Sequence, residues 1–187
     1  SGVKFTQGHR EAVADFRWLS PVVQSLERRP EVLKGLVVYR NPLLRWRADE
    51  VLVFGADRAD VSQSRMAVRR TPVLDFVLDK CGENDGIAVE NLCEGVAQEF
   101  HASSGGTLGL VARLVGLEIL YTSLRPRLTG GDPLEEVVQS LQRAGVDADD
   151  LRGIHRSIRA LNGPVIADDT GEKYSRADAA MADFDGA

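Results

Sequence analysis

Six arginines in the first half of the chain, Arg40, Arg45, Arg47, Arg65, Arg69 and Arg70, are interleaved or flanked with Tyr39 and Trp46. Guanidinium groups beside aromatic rings suit a phosphate backbone or stacked bases, because the planar cation pairs with phosphate and also lies over a π face. These residues are the candidate nucleic-acid contacts. Against them stands the charge of the whole chain, −5 with a pI near 5.3, where dedicated nucleic-acid binders are basic. The imbalance is regional. Residues 1–80 carry fourteen Lys/Arg against ten Asp/Glu, and residues 81–187 carry nine against eighteen.

A second candidate is the run Ser104-Gly105-Gly106-Thr107, which leads into an apolar segment. Free amides and the dipole at a helix start favour an anion. The run follows a helical pattern rather than a strand and lacks the lysine of a phosphate loop, so it reads equally as a tight helix–helix connection. Metal chemistry is not expected. Cys81, Cys93 and His101 are spaced by eleven and seven residues, too far apart for the close ligand pairs of structural zinc. The three histidines stand in no catalytic motif, and neither a Gly-x-Ser-x-Gly elbow nor a His-Glu-x-x-His pair occurs. No cofactor is implied. Two cysteines cannot build a disulfide framework, which points to a reducing, cytoplasmic setting.

The elements that must hold these residues follow from pattern and punctuation. At 187 residues with 43% apolar composition, one globular domain over 1–167 is expected, followed by an acidic, flexible tail over 168–187. Residues 7–30 read as two helical pieces divided at Ser20-Pro21. Leu36–Tyr39 and Val51–Phe54 are short, apolar, β-branched-rich runs, with alternation at Leu44, Trp46 and Ala48 between them. They predict a small antiparallel meander near 35–55. Residues 56–70 are polar and read as a loop or an exposed helix. Five helices should follow: one opened by Thr71-Pro72, one over Ile87 to His101, and one from a Thr107 cap to Pro126. The last two open at Asp132-Pro133 and at Asp147 to Asp150. The Leu108–Leu124 stretch is interrupted by Arg113, Glu118 and two glycines, which argues for a core helix and against a membrane span.

The fold class expected is therefore α+β, predominantly α-helical. Met181 and Phe184, three apart behind a capping-type Ser175-Arg176-Ala177-Asp178, form a candidate partner anchor. With catalytic and metal signatures missing, the sequence points away from an enzyme. It reads as a non-enzymatic interaction or assembly module with a protein partner or self-association. The alternative is a DNA-binding or other nucleic-acid-associated protein using the Arg cluster.

Overall fold

The computed structural model describes residues 9–10, 12–54, 65–82, 85–126 and 131–164, together with Ala179 and Met181. A two-residue strand β1 (His9–Arg10) leads to α1 (Phe16–Glu27) and the short α2 (Pro30–Lys34). Asp15, not Ser20, caps α1, its carboxylate accepting from the Arg17 amide at 2.7 Å. The break expected at Ser20-Pro21 does not occur. Leu19, Val22, Val23 and Leu26 bury one continuous face on both sides of exposed Pro21, and that burial carries the helix through the proline.

Strands fall into two three-stranded antiparallel sheets. In one, β2 (Val37–Arg40) is central between β6 (Ile87–Ala88) and β7 (Leu120–Thr122). In the other, β3 (Arg45–Arg47), β4 (Glu50–Phe54) and β5 (Arg65–Arg69) pair in chain order. The meander near 35–55 is thus present as β3 and β4, while β2 pairs elsewhere. Residues 65–69, read as loop or helix, form the third strand, because Val68 and Met66 stand opposite buried Val51 and Val53. Ala48 and Asp49 link β3 to β4, with Ala48 at a left-handed φ of 47°.

Helices α3 (Pro72–Lys80), α4 (Val89–Phe100), α5 (Ser104–Gly116), α6 (Pro133–Arg143) and α7 (Asp149–Arg159) are the five that the punctuation predicts. Thr71 caps α3, accepting from Leu74, and Asp132 caps α6, accepting from Leu134 and Glu135. The third of them differs from expectation. It starts at Ser104 behind a Ser103 cap and ends at Gly116. Glu118 takes a left-handed φ of 57°, and Leu120–Thr122 then completes the sheet beside β2. Its buried face is Thr107, Val111, Leu114 and Val115; the other face, with Gly105, Gly109 and Gly116, is exposed.

One core cluster joins α1, α2, both sheets and α3 to α7, with Leu36, Val38, Ile119, Leu120 and Leu134 almost fully buried. Phe76 and Phe100 meet edge to face across α3 and α4 at 5.6 Å. Gly35 ends α2 where a Cβ would stand 2.6 Å from the Ala144 carbonyl oxygen, so only glycine lets α2 close on the end of α6. The ribbon of β1 with β8 (Gly163–Pro164) brings residues near the two ends of the described chain together. Met181 is helical and half-buried against the core; Phe184 and most of the segment 168–187 lie outside the described residues. Among the described residues no helix is long and apolar enough to cross a membrane.

Candidate functional site

Register decides which arginines act together. Val51 and Val53 of β4 point into the core, so Leu52 and Glu50 face outward, and the cross-strand partners of these two are Arg45, Arg47, Arg69 and Ala67. Arg45, Arg47 and Arg69 therefore share one exposed sheet face, with Glu50 between Arg47 and Arg69. Arg70, just past β5, turns to the other side of the sheet, where Trp46 stands opposite Val51. Its Nε donates to Asp75 Oδ1 at 2.8 Å, and its guanidinium carbon stands 5.3 Å from the centre of the Trp46 ring. The hydrogen bond to Asp75, and then the charge of that carboxylate, hold the Arg70 pKa above its ordinary value. Arg40 is elsewhere, in the other sheet, its Nη1 donating to the Leu78 carbonyl at 3.4 Å. Arg65 pairs with Phe54 along the backbone, and its side chain lies outside the described residues. Trp46, half exposed at 50%, and Met66 stand opposite Val51 and Val53 and so lie on the other face of the sheet from these arginines, with exposed Leu43 just before β3.

The Ser104–Thr107 run is the first turn of α5 rather than a loop. Ser103 Oγ already accepts from the Gly106 amide at 3.3 Å, and buried Thr107 donates its hydroxyl to the Ser104 carbonyl at 2.9 Å. Ser104, Gly105 and Gly106 remain exposed. Cys81 is fully buried, and burial pushes its thiol up to about 12, against a smaller downward pull from Arg40. Burial also raises the half-buried Cys93, opposed in part by its side-chain hydrogen bond with Thr107. Neither is a poised nucleophile.

Two constellations escaped the sequence reading. Glu27, only 5% exposed, accepts from Thr122 Oγ1 at 2.7 Å, from Arg125 Nε at 3.1 Å and from Arg125 Nη2 at 3.2 Å. Arg125 also stands 3.5 Å from Glu118 and 4.7 Å over the Tyr121 ring. Burial lowers its pKa, but the bond to Glu27 and the charges of Glu27, Glu118 and Tyr121 outweigh that, and the net direction is upward. Tyr121 is raised by burial first and by Glu118 second. This network forms one wall of a cleft of about 220 Å³ between α1 and α5. The second constellation is Asp132, Glu135 and His155, whose ligand-type atoms all lie within 4.8 Å of one another. The Asp-x-x-Glu spacing at a helix start is visible in the sequence, but it serves the helix dipole equally well, and nothing local points to a histidine twenty residues on.

The model of the lantibiotic dehydratase N-terminal family matches residues 1–187. The chain belongs to that family. Its fold is similar to that of MibB, a tRNA-dependent lantibiotic dehydratase from Microbispora sp. 107891, at 24% identity and a TM-score of 0.83 over 96% of this chain and 18% of that one. It is also similar to the glutamylation domain TbtB from thiomuracin biosynthesis, at 17% identity and a TM-score of 0.67 over 98% of this chain and 21% of that one. The same domain bound to 5'-phosphodesmethylglutamycin gives 18% and 0.68. This chain thus spans about a fifth of the length of the structures it matches. No curated protein matches it by sequence.

Family membership corrects the functional expectation. A non-enzymatic interaction or assembly module, and a generic DNA-binding chain, are both set aside by the match of residues 1–187 to the lantibiotic dehydratase N-terminal family. Missing motifs point away from an enzyme only for chemistries that such motifs mark. Short local motifs report metal, phosphate-loop and nucleophile chemistry, and family membership is carried by the fold and pattern of the whole matched stretch rather than by any one of them.

Proposed function

We propose that this chain is the N-terminal part of a peptide-modifying dehydratase and that its Arg45–Arg47–Arg69 face helps to hold an acylated tRNA. Hydroxide is a poor leaving group and a carboxylate a good one, so glutamylating a side-chain hydroxyl prepares it for elimination. An aminoacyl ester on tRNA is an activated source of that acyl group. Relatives described as tRNA-dependent, as a glutamylation domain and as a lantibiotic dehydratase fit these steps. The observation that carries the reading is the set of three exposed guanidinium groups placed on one sheet face by strand register, in a chain that is acidic overall.

The test is binding of a tRNA to the chain across a salt series, with Arg45, Arg47 and Arg69 changed together to Ala. If each guanidinium meets one phosphate, the triple variant should lose about 2 to 3 in the slope of log affinity against log salt. Its melting temperature should not move. No binding by the wild-type chain at low salt would end this reading.

A second reading has its own support. β3 and β5 are the outer strands of their sheet, and exposed Leu43, Trp46 and Met66 lie beside them. An extended peptide can add to such an edge through main-chain bonds and seat apolar side chains alongside. A lantibiotic precursor peptide is the occupant proposed. Its binding should depend weakly on salt and protect β5 amides from exchange; unchanged β5 amides with saturating peptide would refute it.

A further inference from the structure

Away from the Arg face, the start of α6 and the middle of α7 bring three ligand-type side chains together. Asp132 uses Oδ1 to accept from the amides of Leu134 at 3.0 Å and Glu135 at 3.3 Å, which fixes its carboxylate. The other oxygen, Oδ2, lies 2.9 Å from His155 Nε2. Both side chains are largely shielded, at 8% and 16% exposure. One turn into α6, a Glu135 carboxylate oxygen completes a triangle no wider than 4.8 Å. Glu135 and His155 also line an open groove between the two helices.

We propose that Asp132, Glu135 and His155 form a site for a first-row divalent cation of the zinc type. Two carboxylate oxygens and one imidazole nitrogen make a borderline donor set, suited to Zn²⁺, Co²⁺, Ni²⁺ or Mn²⁺; the imidazole disfavours Ca²⁺ and the missing thiolate disfavours Cu⁺. The spacing fits. With metal–ligand bonds of about 2.0–2.1 Å, donors 2.9 Å apart subtend about 90°, and a few tenths of an ångström more opens them toward a tetrahedral angle. Glu135, on a longer and half-exposed side chain, closes the third position, and the groove admits water to the rest. The two cap bonds play the orienting part that outer-shell hydrogen bonds play in metal sites, holding Oδ2 toward the ion. In the bound form the neutral imidazole offers the Nε2 lone pair and carries its one ring proton on Nδ1, and the ion's two charges meet two carboxylates.

Neighbouring groups set the affinity. Arg159 Nη1 stands 3.7 Å from Glu135 Oε2, Gln139 donates to Glu135 Oε1 at 3.4 Å, and Arg156 lines the groove. Arg152 is paired with Asp149 at 2.9 Å. These cations oppose the ion, so the site is of modest affinity and exchangeable rather than a permanent structural centre.

The experiment is a Zn²⁺ titration of the chelator-stripped full chain against a chromophoric competitor, followed by Co²⁺ absorption and by the His155 ring resonances. Three variants accompany it: Asp132→Asn, which keeps an equally good cap, His155→Gln, which keeps a hydrogen-bonding group, and Glu135→Gln. Wild type should bind one equivalent with the His155 resonances shifted, and each variant should weaken binding by about tenfold or more. His101→Gln should bind as wild type does. Zn²⁺ should raise the melting temperature of wild type alone. If either variant that ties α6 to α7 fails to fold, Glu135→Gln decides the matter. No stoichiometric binding, or binding unchanged in the three variants, would overturn the site and leave Asp132–His155 as a tie between two helices.

Discussion

Replacing Arg125 with Ala removes two of the three hydrogen bonds that the Glu27 carboxylate accepts, leaving the one from Thr122 at 2.7 Å. Glu27 is 5% exposed, so its charge cannot turn to water without opening the wall between α1 and β7. Breaking a buried ion pair from one side costs about 3–5 kcal/mol, because the remaining charge stays desolvated. Arg125 is 25% exposed, so solvent can enter from its side once the guanidinium is gone. That places the expected loss below this range, at about 2–3 kcal/mol. The assay is urea unfolding followed by far-UV circular dichroism, with the slope checked so that a change in midpoint is a change in stability. The double change Glu27→Leu with Arg125→Leu should cost clearly less than the two single changes added, since no lone charge remains inside. A loss below about 1 kcal/mol for Arg125→Ala, or strict additivity in the double variant, would refute the view that this pair is coupled in a desolvated setting.

Four further outcomes are expected. Leu114→Ala, at a buried position of α5, should destabilise by about 2–5 kcal/mol in the same assay. Gly35→Ala should cost about 1–3 kcal/mol, since the new Cβ meets a backbone carbonyl that no rotamer change can move. Ala48→Gly should raise stability by up to about 1 kcal/mol, by relieving the left-handed φ at the β3–β4 turn. The Cys81 thiol ionises near 9 when unfolded and near 12 when folded, so the unfolded chain loses its proton first. Stability should therefore fall as pH rises from about 9 toward 12, more steeply in wild type than in Cys81→Ala, with parallel curves telling against the burial argument.

What the sequence by itself determined was local. Thr71, Asp132 and Pro133 mark helix starts because their side chains or fixed φ serve only the next turn, and α3 and α6 begin where they say. Apolar stripes at helical spacing supplied most of the core, and the predominantly helical α+β class follows from them. Tertiary structure decided every element that owes its conformation to a distant partner. Residues 65–69 are a strand because β4 offers an edge, and Leu120–Thr122 leaves the preceding helix because β2 offers another. Pro21 stays inside α1 because the core pays for the lost amide bond. The same division holds for the sites. Six arginines were legible as a type, but only strand register separates Arg45, Arg47 and Arg69 on one face from Arg40 in the other sheet. Glu27 with Arg125, and Asp132 with His155, are 98 and 23 residues apart. Hydrogen bonds and charge act over a few ångströms of space, and separation along a chain carries no record of which pairs the fold brings within that range.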